Sequence, residues 1–438
     1  MSAPPTAPRS AHAHFELALS LVQENLYAEA EVEYRQVLQL MPSAAAAHSN
    51  LGNVLEVLDR LAEAETHVRI AAMLDPKLPE AHYNLGSITR QSGRFDEAEE
   101  AYRRALALRP DYPDAAFGLA TLLLARGRFE EGWQRYESRY THPRFVHADT
   151  LRRLACPQWR GEPLTGRAVL VWQEDGLGDM IQFARYLPML KEAGAQQVTV
   201  ACMRGLHRLL AGVHGVDAVL DHDAVQARDA HFDCWTSLMS APAGFGTTLD
   251  TLPAPLAPPL DAALLAQWRV PLDMLAGRLK VGVVWRGNPR HHNDANRSLP
   301  SLATLAPLWA APDIAFVSLQ KGAGEAQAAQ PPAGQPLLDL GSLVGDLADS
   351  AAIVAQLDLV IGVDTAMIHL AASLGVPCWV LLPSRDLDWR WMQGREDSPW
   401  YPGRMRLFRQ WGDEGWTPVV ARLGRALVEW AGEAVPRG

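Results

Sequence analysis

Apolar and polar positions along this chain follow two periods, and the change falls near Arg167. Over the first third, apolar and small residues recur at helical spacing and the whole pattern repeats every 34 residues. Leu17, Leu51, Leu85 and Leu119 share one place in the repeat, and Ala18, Gly52, Gly86 and Ala120 the next. Ala30, Ala64 and Ala98 align further on, with Gly132 in the fourth unit, and Pro42, Pro76 and Pro110 close the first three. A small residue at a fixed place lets two antiparallel helices approach closely, and the proline stops the second helix. The pattern predicts a solenoid of paired helices over residues 11–145, its fourth unit decaying into GWQRYESRYTHPRF.

From Arg167 onward, apolar runs alternate with helical stretches. Strands are expected at Ala168–Trp172, Val198–Cys202 and Val216–Leu220, with an amphipathic helix running from the EDGLGDM turn through Leu190. Pro253, Pro255, Pro258 and Pro259 then break the regularity, so residues 241–278 read as a passage between domains with one helix inside it. A second strand series follows at Lys280, Ile314–Leu319, Leu337–Leu340, Leu357–Val363 and Val376–Leu382. Two series, each with its own first strand, predict two Rossmann-like halves facing across a cleft, at residues 146–240 and 279–417. The last stretch, 418–438, reads as an amphipathic helix from Pro418 to Val435 with Val420, Leu423, Leu427 and Trp430 near one face.

The clearest repeat, PEAHYNLGSITRQSGRFDEAEEAYRRALALRPDY, resembles the tetratricopeptide repeat, and four units agree in register. Such arrays stack into a superhelix whose concave face commonly binds peptides. An array of four units is equally one that only docks against its neighbouring domain.

Composition narrows this further. A net charge of −10 argues against a nucleic-acid binder that works by neutralising phosphates broadly. Cys156, Cys202, Cys234 and Cys378 lack paired spacing, which argues against a zinc site or redox couple. Neither a secretory signal nor a run long enough to cross a bilayer is present, so cytoplasmic residence is the expectation.

Candidate chemistry centres on Leu357–Pro383, where strand, polar turn, helix and strand form a βαβ unit. Asp364 is the expected N-cap, and the free N–H groups of Thr365, Ala366 and Met367 suit a phosphate or diphosphate. His369 lies one helical turn after Thr365 and reaches the same ligand; the alternative is a capped helix with a buried histidine. In the first half, EDGLGDM has Gly176 and Gly178, but Ile181 stands where a dinucleotide fingerprint needs its third glycine. The strand that should end in a ribose-binding acid ends in Cys202-Met203, which also counts against NAD or FAD. Asp179 serves there either as a helix cap or as a general base for an acceptor hydroxyl. A helix start lowers a carboxylate's pKa, so strong basicity requires burial.

In WRGNPRHHNDANRS, Arg297 is placed to pair with phosphate oxygens, with Asn288 a second donor-side candidate. His291-His292 has no partner at ligand spacing, so no metal is expected. Gln320 ends the next strand and offers a contact to a base or phosphate. Trp389, Trp391, Trp400 and Tyr401 crowd one stretch; Trp389 is the candidate to line a donor, and sealing the domain edge is the alternative.

Together these residues resemble a known family. GVDTAMIHLAASLGVP resembles the donor-site motif of bacterial heptosyltransferases, and Gly178-Asp179 resembles the Gly-Asp that carries their proposed base. The stretches WRGEPLTGRAVLVWQEDGLGDMIQFARYLPML, VGVVWRGNP and SPWYPGRMRLFRQ resemble bacterial tetratricopeptide-repeat glycosyltransferases, a layout also similar to protein O-linked N-acetylglucosamine transferases. The resemblance implies a GT-B-like pair of domains and a nucleotide-diphosphate sugar as co-substrate, with no separate cofactor. It implies that Asp364, Thr365 and Ala366 hold the diphosphate or ribose beside His369, while Asp179 deprotonates the acceptor. Two departures stand out: Ala366 replaces a glycine common in heptosyltransferases, and Arg297 replaces a lysine. Arginine neutralises a leaving diphosphate with different geometry. An adaptor whose sugar-transfer domain has lost activity is the competing expectation.

Overall fold

The computed structural model describes residues 9–222, 232–291, 293–412 and 414–434; His292 and Val435 lie outside the described residues. Its contacts divide the chain into two units, Met1–Arg126 with Glu131–Ala148, and Gly127–Glu130 with Asp149–Gly438.

The first unit is built from antiparallel helix pairs: α1 (Ala11–Gln23) with α2 (Tyr27–Leu40), α3 (Ala45–Val57) with α4 (Leu61–Leu74), and α5 (Pro79–Gln91) with α6 (Phe95–Leu108). α7 (Pro113–Ala125) and α8 (Phe129–Tyr136) complete the series. The small residues do what their spacing predicts. A Cβ on Gly52 would fall 2.3 Å from Val68 Cγ2, and one on Gly86 would fall 2.7 Å from the Tyr102 ring. The turn within each pair holds Asn25, Asp59, Gly93 or Gly127 at φ between 62° and 75°. Glycine, asparagine and aspartate are the residues that accept this left-handed conformation.

A second 34-residue rhythm joins neighbouring units. Arg35, Arg69 and Arg103 each bond a glutamate one turn back (Glu31, Glu65, Glu99) and another in the next unit (Glu63, Glu97, Glu131). These arginines are about two-fifths exposed, so each pair is worth well under 1 kcal/mol. The ladder therefore favours one stacking register more than it adds stability.

The second unit begins in α9 (His147–Arg153) and contains two parallel sheets. The first runs β3 (Ala218–Asp221), β2 (Gln197–Cys202), β1 (Ala168–Trp172), β4 (Cys234–Thr236). The second runs β10 (Met405–Arg409), β9 (Cys378–Leu382), β8 (Leu359–Val363), β5 (Leu279–Val284), β6 (Ile314–Ser318), β7 (Leu338–Asp339). The second order is that of a doubly wound α/β sheet, and the first is its opening portion. Strands β8 and β9 are buried along their whole length, as their continuous apolar runs require. The final helix α19 (Trp416–Ala434) packs Val419, Val420, Leu423 and Leu427 into the core of this sheet.

The helix expected through Leu190 is broken into α10 (Leu177–Phe183), a 3₁₀ turn at Ala184–Tyr186, and α11 (Leu187–Glu192). Pro188 has no N–H to offer the carbonyl of Ala184, so a continuous helix loses a bond there. β4 and β10 went unanticipated: one is three residues long, the other an edge strand with Arg406 pointing outward. Between the sheets, α13 (Ala241–Gly244) and α14 (Ala262–Asp273) occupy the proline-rich passage. Arg208, on α12 (His207–Leu210), reaches across to Asp346 and Asp349 at the start of α17 (Leu347–Val354), at 2.6 and 3.2 Å. No described helix is long and apolar enough to cross a membrane.

Candidate functional site

In a doubly wound sheet, ligands collect where the strand order reverses, outside the carboxyl ends of the strands. In the second sheet that point lies between β5 and β8, and in the first between β1 and β4. The turns that leave these strands carry Arg297, Asp364 and Thr365 on one side, and Asp179 and Met239 on the other.

The helix after β8, α18 (Ala366–Ser373), starts where its sequence predicts, but its N-cap is Thr365 and not Asp364. Asp364 turns instead into the site. Its carboxylate accepts from Trp391 Nε1 at 2.8 Å and lies 3.7 Å from His369 Nε2. Burial alone pushes its proton affinity up; His369, the Trp391 N–H and Arg297 outweigh that and hold the pKa at about 2. The ring of His369 stacks on Trp391 with centroids 5.6 Å apart, and its Nδ1 lies 3.4 Å from the Tyr401 hydroxyl. Thr365 uses its hydroxyl for no cap, and the buried Oγ1 finds no hydrogen-bond partner among the described residues.

Gly178 brings the other half in. A Cβ there would stand 3.1 Å from His369 Cδ2 and 3.4 Å from the Cα of Ala366, so the two segments pack in close contact and a larger residue would require the His369 ring to give by a few tenths of an ångström. The next residue, Asp179, accepts from the N–H of Gly176 at 2.8 Å, which makes it the closing member of a capping arrangement. It is also hydrogen-bonded to Arg390. Burial drives its pKa up to about 6, with Arg390 and His369 pulling down and Asp175 and Asp388 pushing up. Burial thus overrides the lowering expected of a helix start.

Arg390 was not singled out by the sequence, although it stands between Trp389 and Trp391. Its guanidinium bonds Asp179 and, at 2.7 Å, Asp388, with Met239 Sδ at 3.6 Å. Its central carbon lies 4.7 Å from the Trp389 ring centroid and 5.6 Å from that of Phe183. Trp389 therefore presents its ring to a cation. Trp400 Nε1 donates to the Arg390 carbonyl at 3.0 Å. Met392, two residues on, sits at φ 48°, a conformation disfavoured for any residue with a Cβ and held here by Arg409 bonding its carbonyl.

Other expectations fare differently. Arg297 closes the short helix α15 (Asp294–Arg297) and lies close enough to Asp364 to lower its pKa. Gln320, expected as a donor contact, is buried and bonds backbone groups of its own half. Its Oε1 accepts from the N–H groups of Trp285 and Arg286 at 2.9 and 3.0 Å, and its Nε2 donates to three carbonyls. Asn288 is exposed and folds its carbonyl back onto the N–H of Arg290 at 3.0 Å, a turn-forming role. Arg185 is a further residue the sequence did not reveal. Buried between aromatic rings, it bonds the carbonyls of Gln182, Pro253 and Trp400 and so ties α10 to the Trp400 loop. Isolated arginines in apolar surroundings leave no spacing signal. Cys202, Cys234 and Cys378 are buried, and burial raises each thiol pKa, so they are inert packing residues.

The first unit is an array of tetratricopeptide repeats: family models of that repeat match residues 15–79 and 90–135. Protein FlbA of Caulobacter vibrioides is 29% identical over 326 residues, covering 68% of this chain and 52% of that protein. The chain thus spans about half the length of this curated relative. Among solved structures, PilF of Pseudomonas aeruginosa is 28% identical over 30% of this chain and 60% of its own, with a TM-score of 0.28. TTC0263, a TPR protein of Thermus thermophilus, is 22% identical over 33% and 80%, with a TM-score of 0.30. YrrB, described as a TPR protein with an unusual peptide-binding site, is 23% identical over 31% and 69%, with a TM-score of 0.27.

Proposed function

We propose that the α/β unit is a metal-independent glycosyltransferase of GT-B type, with the repeat array as its protein-binding arm. The observation that carries this reading is the approach of Gly178-Asp179 from the first half to Ala366 and His369 at the start of α18 in the second. A nucleotide-diphosphate sugar would lie with its diphosphate at the start of α18, where backbone N–H groups and the helix dipole favour anions. Arg297 would add positive charge. Asp179 would take the proton from an acceptor hydroxyl. That oxygen would bond to the anomeric carbon as the bond from the same carbon to the diphosphate oxygen breaks, and the electron pair would leave with the diphosphate. A carboxylate with a pKa of about 6 suits this task close to neutral pH.

The test is calorimetry of the full chain against UDP, GDP, ADP and their sugars, followed by product analysis with an acceptor. Absence of binding by every nucleotide sinks the reading. A second reading, an adaptor with a silent transferase domain, is favoured by the repeat array. It predicts that Asp179→Asn supports the cellular phenotype as well as the native protein does, whereas the enzymatic reading predicts its loss.

A further inference from the structure

The guanidinium of Arg390 is surrounded by groups of this site: Asp179, Asp388, the Trp389 and Phe183 rings, and Met239. The residue is 9% exposed, so its charge is removed from water and must be met by these partners. One of them is the carboxylate that the transferase reading needs as a base. A guanidinium bonded to this carboxylate lowers its affinity for a proton, so Asp179 in this arrangement is a weaker base than it becomes once released. The start of α18 is one residue away, through the approach of Gly178 to Ala366 and His369.

We propose that Arg390 is a donor-binding residue that switches partners: it locks Asp179 at rest, and the donor's diphosphate draws it off and so frees the base. The inference rests on the transferase reading and adds to it a residue and an order of events. A diphosphate offers a guanidinium two or more oxygens and a greater charge than one carboxylate, and forms the stronger, forked pair. Asp388 remains as a tether, bonding both the side chain and the backbone N–H of Arg390, so the guanidinium pivots without leaving the site. Once released, Asp179 faces Asp175, Asp388 and His369, and two of these three favour its protonated form. Its affinity for a proton rises toward working pH, where base catalysis is most efficient. Acceptor activation is thereby coupled to donor occupancy.

Proton uptake on nucleotide binding reports the switch directly. The full chain is titrated at pH 7 with whichever of UDP, GDP or ADP binds, in phosphate and in Tris, whose ionisation enthalpies differ. The native protein is expected to take up a fraction of a proton per nucleotide. Asp179→Asn should bind the nucleotide at least as tightly and take up none. Arg390→Gln should weaken binding tenfold or more and also take up none. Arg390→Lys keeps the charge if the glutamine variant does not fold, and should bind with intermediate affinity. Nucleotide binding without proton uptake in the native protein overturns the proposal, as does native-like affinity in either Arg390 variant. If no nucleotide binds the native protein, the transferase reading itself has failed, and the proposal falls with it.

Discussion

Asp364 directly follows the last residue of β8 and Asp179 lies in the first turn of the helix after β1, yet their surroundings drive them apart. Asp364 gains an indole N–H, an imidazole and a nearby guanidinium, and its pKa sits at about 2. A carboxyl lowered on folding stabilises the native state above its unfolded pKa of about 4, and that stability is lost as pH falls toward 2. Asp364→Asn is therefore expected to cost on the order of 2 kcal/mol at pH 7 and progressively less below pH 4, read by urea melts across that range. Asp179 has the opposite sign. Its pKa is raised to about 6, so its ionisation costs stability that the native state retains only while the group is protonated, and the loss develops as pH rises from about 4 to 6. Removing the charge in Asp179→Asn should thus leave the melting temperature at pH 7.5 equal to or above that of the native protein. On the transferase reading, sugar transfer should fall by about 10²–10⁴-fold. If the proposed transfer activity is present, its kcat/KM in the native protein should decline as pH drops through about 6, and that limb should be absent from any residual activity of the asparagine variant.

Among the elements, the repeat helices were legible because their code is local. Each unit states its own close approach and its own left-handed turn every 34 residues. Gly86→Ala places a methyl group 2.7 Å from the Tyr102 ring, where overpacking costs about 1–3 kcal/mol. Amides of α5 and α6 should then exchange faster with solvent while those of β8 and β9 keep their native rates; unchanged exchange in α5 would mean the ring moves aside freely. The strands of both sheets announced themselves as apolar runs, whereas β4 and β10 did not. A three-residue strand offers too short a pattern, and an edge strand carrying Arg406 and Arg409 breaks the apolar run that marks its neighbours. The split of α10 from α11 was missed in expecting one helix through Leu190, although Pro188, with no N–H to donate, carried the signal.

Across the α/β unit, two arginines with no motif around them join the halves. Arg185 is buried and bonds three carbonyls, while Arg208 is half exposed and bonds two aspartates at the α17 start. Exposed pairs contribute well under 1 kcal/mol, so Arg208→Ala should leave thermal stability within about 2 °C of native. It should nevertheless speed amide exchange at residues 346–350, where Arg208 now neutralises the two capping carboxylates. A large fall in melting temperature would show that this contact bears more of the join than its exposure implies.

Periodicity along the chain was enough to define the repeat array and the order of most strands. The rules of strand-to-helix turns were enough to mark Asp179, Asp364, Thr365 and His369 as a set worth bringing together. Both kinds of signal act over neighbouring residues, so a linear reading captures them. The partners those groups meet came from packing alone. Packing gave Gln320 to the backbone of its own half, made Thr365 the cap in place of Asp364, and set Arg390 against Asp179 from 211 positions away in the chain. A pKa or a pairing depends on burial and on charges a few ångströms distant, and those distances exist only once the two sheets have come together.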